Sequence, residues 1–242
     1  MIGLGTIMNV AAIIGGGVMG LLFGKFLKEQ WQTSVTRVAG VCTLFIGMSG
    51  TLAKVFTVSP EGVLTAGGTM MMIVSMVLGT LIGEIADIEG KFESFGLFLR
   101  NRTGNAGDSR FINAFVTASL TVCIGAMAIV GSIQDGILGD HSTLAVKALL
   151  DFIIIAVMCS SMGKGAAFSA IPVFLLQGSM TLLSRLLEPI MTDGAIANIS
   201  MIGSILIFCV GINLVWGKKV RVANMLPSLI LAVLSEYLPF SF

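Results

Sequence analysis

Charge is scarce in this sequence, and so are the side chains that do chemistry in water. Asp, Glu, Lys and Arg make up only 11% of the residues, and histidine occurs once. A net charge of +1 without a polybasic tail argues against nucleic acid as a partner. The four cysteines, Cys42, Cys123, Cys159 and Cys209, all fall in apolar stretches without CxxC spacing. That excludes a zinc ribbon and gives no sign of a disulfide framework. No HExxH or GxSxG occurs, and the GKG at 163–165 lacks the upstream Gly and the following Ser or Thr of a Walker loop. With one histidine there is no haem-type pair, and no nucleophile, base and metal set is present. The expectation is a protein that is not an enzyme and holds no cofactor; the sequence leaves a metal undecided. The N-terminus has no basic n-region, so no cleavable signal peptide is expected.

Apolar residues are what the chain has in abundance. They make up 55% of the 242 residues, and the mean hydropathy is +0.99. One water-soluble domain could not cover that much apolar surface. The fold class is all-α, a polytopic helical membrane protein forming a single transmembrane domain over 1–242. A span needs about 20 apolar residues. Eight stretches qualify: 2–26, 38–57, 63–88, 111–132, 143–162, 165–183, 197–217 and 222–240. Pro172 and Pro227 interrupt the sixth and eighth, so either is a candidate for a broken or re-entrant span. Three spans (1–88) and five spans (111–242) flank a linker at 89–110. Triplets of opposite orientation on its two sides admit a 3+3 inverted repeat plus two helices.

Orientation follows the basic residues. With the first inter-span loop in the cytoplasm, Lys25, Lys28, Arg37, Lys91, Arg100, Arg102, Arg110, Lys164, Lys218, Lys219 and Arg221 lie inside and Arg185 alone lies outside. Both termini are then outside. Trp31 and Trp216 fall at the inner interface and Tyr237 at the outer one, where aromatic belts sit. In the linker, Ile88, Phe92, Phe95 and Leu99 recur at helical spacing, which predicts an amphipathic helix lying on the cytoplasmic leaflet. Gly16, Gly20 and Gly24 form overlapping GxxxG units, suited to close helix packing within the chain or between copies in a homo-oligomer.

The costliest residue is Asp151, about nine residues into the span 143–162 and so near the membrane midplane. Lys147 lies one turn before it on the same face. The pair is either an inert lock or a cation or proton site tuned by the lysine. Gln177 is also near midplane, and a hairpin of spans five and six would let it face Asp151. Ser169 lies between them in sequence. Asp135 and Asp140 fall in a predicted outer loop, where they could form an acidic vestibule; Asp140 could equally cap the next helix through the amide of Ser142 or Thr143. These residues point to a secondary transporter or channel-like permease for a cation or a small ion-coupled solute. The rival reading is a non-transporting scaffold in which Lys147–Asp151 is structural.

The run GSIQDGILGDHSTLAVKALLDF, followed by GKGAAFSAIPVFLLQG, resembles an uncharacterised bacterial membrane-protein family, domain of unknown function 554. The opening GTIMNVAAIIGGGVMG, the segment LGTLIGEIADIEGKFESFG and the closing VRVANMLPSLILAV are similar to the same family. The resemblance implies a bacterial inner-membrane protein of about this length and supplies no function. Ala148 stands where a serine would be expected after the lysine, so no hydroxyl role attaches to that position.

Overall fold

A computed structural model describes residues 2–24, 26, 28–58, 62–105, 107–108, 110–123 and 126–237. Lys25 and the last residues of the predicted span 222–240 lie outside the described residues. In chain order the elements begin with α1 (Leu4–Gly24), α2 (Glu29–Val55), a hairpin of β1 (Phe56–Val58) and β2 (Leu64–Ala66), α3 (Thr69–Ala86) and α4 (Ile88–Arg102). Next come α5 (Phe111–Cys123), α6 (Ala126–Leu138), α7 (Ser142–Met162), a 3-10 segment Lys164–Ser169 and α8 (Ala170–Leu182). The chain closes with α9 (Ser184–Leu187), a 3-10 turn Glu188–Ile190, α10 (Asp193–Trp216), a 3-10 turn Val222–Met225 and α11 (Pro227–Ser235).

The protein is a polytopic helical membrane protein. Among the described residues, six helices are long and apolar enough to cross a bilayer, and a seventh span results if α5 and α6 count as one. Three differences from the eight expected spans have local causes. The stretch 111–132 becomes two helices whose axes diverge by 60°. The last stretch holds an apolar helix of only Val222–Ser235, too short to cross alone. Neither proline breaks a helix. Pro227 opens α11, where its missing N–H costs nothing. Pro172 sits in the first turn of α8, and the change from 3-10 to α geometry falls before it, at Ser169.

Glycine rows set the packing. α1 and α7 run parallel, and a Cβ at Gly16, Gly20 or Gly24 would meet the backbone of Phe152, Ala156 or Ser160. Of the two uses expected for this GxxxG row, within the chain or between copies, the structure shows the first: α7 of the same chain covers it. Antiparallel α2 and α10 meet in the same way at Gly47, against Ser204 and Phe208. Gly79 and Gly83 of α3 sit against Ser228 and Asn224.

Two bundles result. One gathers α1, α5, α6, α7 and α8 with its 3-10 lead-in; the other gathers α2, α3, α10 and α11. They cut across the sequence segments 1–88 and 111–242, because α1 joins the helices after the linker. Most described basic residues gather at one end of the molecule, with the C-terminal ends of α1, α3, α7 and α10; Arg185 lies at the other. We call these the basic end and the far end.

The linker helix α4 departs from expectation. Its apolar face does not lie only on lipid. Ile88, Phe92 and Leu99 pack into the main core, Gly96 abuts Phe115, and the Phe95 ring meets the Phe115 ring edge-on at 5.9 Å. Phe98 remains 58% exposed on the lipid-facing side. The turn into α4 places Asp87 at φ 44°, a left-handed conformation that aspartate tolerates better than most residues. Arg221 holds its carboxylate there.

Candidate functional site

Polar side chains concentrate inside the first bundle. Asp151 is the tenth of the 21 residues of α7. Lys147, one turn earlier, approaches it at 2.5 Å, and both are buried at 7% and 3% exposure. The ammonium also donates to the Val122 carbonyl at 2.8 Å. Val122 lies in the last turn of α5, where carbonyls lack partners within the helix. A lysine of α7 thus ties down a carbonyl of α5.

Asp135 is not in a loop. It lies in α6, fully buried, and its Oδ2 accepts the Gly5 amide of α1 at 3.0 Å. Its other oxygen has no hydrogen-bond partner. Asp140 is separate and exposed, accepting the Ser142 amide at 2.9 Å. That backbone hydrogen bond holds its carboxyl below the usual carboxylate range. The expected acidic vestibule of Asp135 and Asp140 therefore does not form; one is interior and the other is a helix cap.

Gln177 and Asp151 do not meet through the hairpin of α7 and α8, because α1 lies against both helices. Near the far end the Thr6 and Thr181 hydroxyls are 3.5 Å apart. One turn deeper on each helix come Asn9 and Gln177. Asn9 also lies beside Asp151, short of hydrogen-bond geometry. Both polar atoms of Asn9 and of Gln177 lack partners, as do the hydroxyls of Ser119 and Ser169. Ser169 lies two turns below Gln177, about 12 Å along α8. An unpaired buried polar atom costs about 1–3 kcal/mol, so this cluster carries a standing demand for hydrogen-bonding or coordinating partners. Among the described residues, no three His, Cys, Asp or Glu side chains converge as a metal site.

Asn9 was not among the candidate site residues that the sequence singled out. The spacings Thr6–Asn9 and Gln177–Thr181, each one turn on a helix face, were the available signal. Glu89 was missed altogether, because its segment reads as surface linker. It is buried at 2% and pairs with Lys218 at 2.6 Å. Its Oε2 accepts the Ala223 amide, and its own amide donates to Asn224.

A cavity of about 550 Å³ opens at the basic end beside Glu89, Glu93, Asn113, Thr117 and Lys218. Its apolar floor includes Val116, Leu120 and Val210. Leu120 is two residues before Val122, so this floor separates the cavity from the Lys147–Asp151 pair.

Two curated relatives are similar along nearly their whole length. An uncharacterized membrane protein, YdfK, of Bacillus subtilis (strain 168) is 29% identical over 227 residues, covering 94% of this chain and 93% of that one. An uncharacterized protein, YqgA, of Escherichia coli (strain K12) is 29% identical over 235 residues, covering 95% and 94%. No solved structure matches. The model of the family described as "Protein of unknown function (DUF554)" matches residues 4–237, and the chain belongs to that family.

Proposed function

We propose that the protein is a secondary transporter or channel-like permease for a cation or a small cation-coupled solute. The observation that carries this reading is the charge balance of the first bundle. Two buried acids, Asp135 and Asp151, face one buried base, Lys147. One negative charge is left over in a low-dielectric interior, and one oxygen of Asp135 is unpaired. A bound proton or cation offsets that charge, and Asn9 and Gln177 add neutral oxygens of the kind hard cations take. The cavity at the basic end is then the inner vestibule, and its floor at Val116, Leu120 and Val210 must open for the ion to reach the site. In this reading the basic end faces the cytoplasm of a bacterial inner membrane and both termini lie outside. No catalytic role is assigned.

A second reading rests on the closed geometry of Lys147, which donates to Asp151 and Val122 together. There the pair is a structural lock in a scaffold or regulatory protein. Proteoliposome flux separates the two. Asp151→Asn and Asp135→Asn are expected to fold and to abolish flux of sodium, potassium or protons. Undiminished flux in both variants sinks the transport role of the carboxylates, and failure of Asp151→Asn to fold favours the lock.

A further inference from the structure

The seam between the two bundles carries two cavities stacked along the same helices. At the basic end, a polar pocket of about 420 Å³ is lined by Gln32, Arg37, Arg110, Asn113 and Ser161, among others. Among the described residues, no acidic side chain lines it. Among the described residues neither arginine has an ion pair, whereas Lys218 and Arg221 nearby each bind two carboxylates. Below it, an apolar groove of about 530 Å³ is lined by Val38, Cys42, Ile46, Ile153 and Val157, among others.

The two are continuous. Leu214 lines both. Each flanking helix passes from pocket to groove in the same direction. On α2 the pocket takes residues 32–37 and the groove runs on to 46. On α7 the pocket takes 161 and 162 and the groove 153–158. Along α5 the pocket takes 113, with Arg110 just before the helix, and the groove takes 121. From Ser34 to Ile46 the groove extends about 18 Å along α2.

We propose that this seam is a binding site for one anionic phospholipid. Arg37 and Arg110 hold the phosphate, Asn113 and Gln32 face the polar headgroup, and one acyl chain lies in the groove between α2 and α7. Two guanidinium groups without carboxylate partners suit a phosphate oxyanion, which arginine binds bidentately. The groove is what favours a lipid over a free anion: a soluble phosphate or carboxylate fills the pocket and leaves the apolar channel below it unused. The lipid would then be shared between the bundles, touching α2 and α10 on one side and α5 and α7 on the other.

The test uses the full chain purified in detergent, with native mass spectrometry and thermal unfolding as readouts. The probes are phosphatidylglycerol, phosphatidylcholine with the same acyl chains, and inorganic phosphate. Phosphatidylglycerol is expected to bind and to raise the unfolding midpoint, with phosphatidylcholine well behind. The double variant Arg37→Gln/Arg110→Gln is expected to weaken phosphatidylglycerol binding by about tenfold and to erase the preference. Val38→Trp leaves both arginines and fills the groove, and it is expected to weaken both lipids. Equal binding of the two lipids by the unaltered chain overturns the proposal, whether or not the variants fold. Inorganic phosphate that protects as well as phosphatidylglycerol and displaces it assigns the pocket to a free anion and also overturns it.

Discussion

The molecule contains two clusters of ion pairs, and they answer to different physics. Lys147–Asp151 lies in the middle of a spanning helix, shut off from water on both sides. The other cluster sits at the basic end, where Lys218 binds Glu89 and Glu93, and Arg221 binds Glu84 and Asp87. Its cations are about half exposed. In the interior the charges were taken out of water at large cost, so each partner exists to offset the other. At the basic end water and salt do most of that work, and the pairs serve geometry: they hold α4 and the turn at Asp87 against the 3-10 segment Val222–Met225. Charge inside is a constraint on what else can be there. Charge at the end is a set of adjustable fastenings between α3, α4 and the chain that follows α10.

The sharpest way to break this comparison is to remove one partner of the buried pair. Lys147→Met leaves the Asp151 carboxylate and the Val122 carbonyl without a donor. It is expected to cost about 3–5 kcal/mol of stability, read by unfolding in mixed micelles. The double variant Lys147→Met/Asp151→Leu is expected to recover most of that loss, because the uncompensated charge goes with it. A single variant within about 1 kcal/mol of the parent would mean that water reaches the pair, and the contrast between the clusters would collapse.

Lys218→Met comes next. Glu89 is buried like Asp151, but it keeps the Ala223 amide as a second partner. The expected loss is about 1–2 kcal/mol, discounted for the half-exposed ammonium. Partial burial pulls the Lys218 ammonium down, and its hydrogen bonds to Glu89 and Glu93 outweigh this, so its pKa lies above that of an ordinary lysine. The sign follows. The contribution is complete below about pH 10, the unfolded value, and is lost as pH rises through the higher folded value. Alkaline unfolding of the parent should therefore show a limb that Lys218→Met lacks. Arg221→Gln is expected to have a smaller effect than Lys218→Met, and one that shrinks in high salt. An effect of Arg221→Gln as large as that of Lys147→Met would show that the Asp87 turn, not charge burial, limits stability.

The same contrast explains what the sequence disclosed. Membrane class, the parallel glycine row and the Lys147–Asp151 pair depend on residues within one span or on composition, and all were legible. Asp135 was read as a loop residue because GSIQDGILGD, with its glycines and acids, has the composition of one. Yet α6 continues through it, since the Gly5 amide of a distant helix takes the carboxylate. Glu89 was read as solvated because nothing in IEGKFE announces that Asn224 and Lys218, more than 120 residues later, close over it. The contact of Lys147 with Val122 was hidden too, since it joins two helices across 25 residues of chain. What was missed was set each time by a partner far along the chain.

Asp140 is the limiting case, a carboxylate with no salt bridge among the described residues. It is exposed, and its Oδ1 accepts the first amide of α7, one of the donors that the helix leaves free. Because that hydrogen bond lowers its folded pKa, the contribution is complete above about pH 4 and is lost as pH falls through the lower folded value. Asp140→Ala should remove this acid-sensitive limb from the stability profile and fray the start of α7, seen as faster amide exchange at Ser142. Asp140→Asn keeps an acceptor oxygen and should protect that amide while flattening the pH dependence. If Asp140→Asn and Asp140→Ala exchanged alike, the carboxylate's charge rather than its hydrogen bond would be holding the helix end. Even the most exposed acid near the bundle would then act through its field, as the buried ones do.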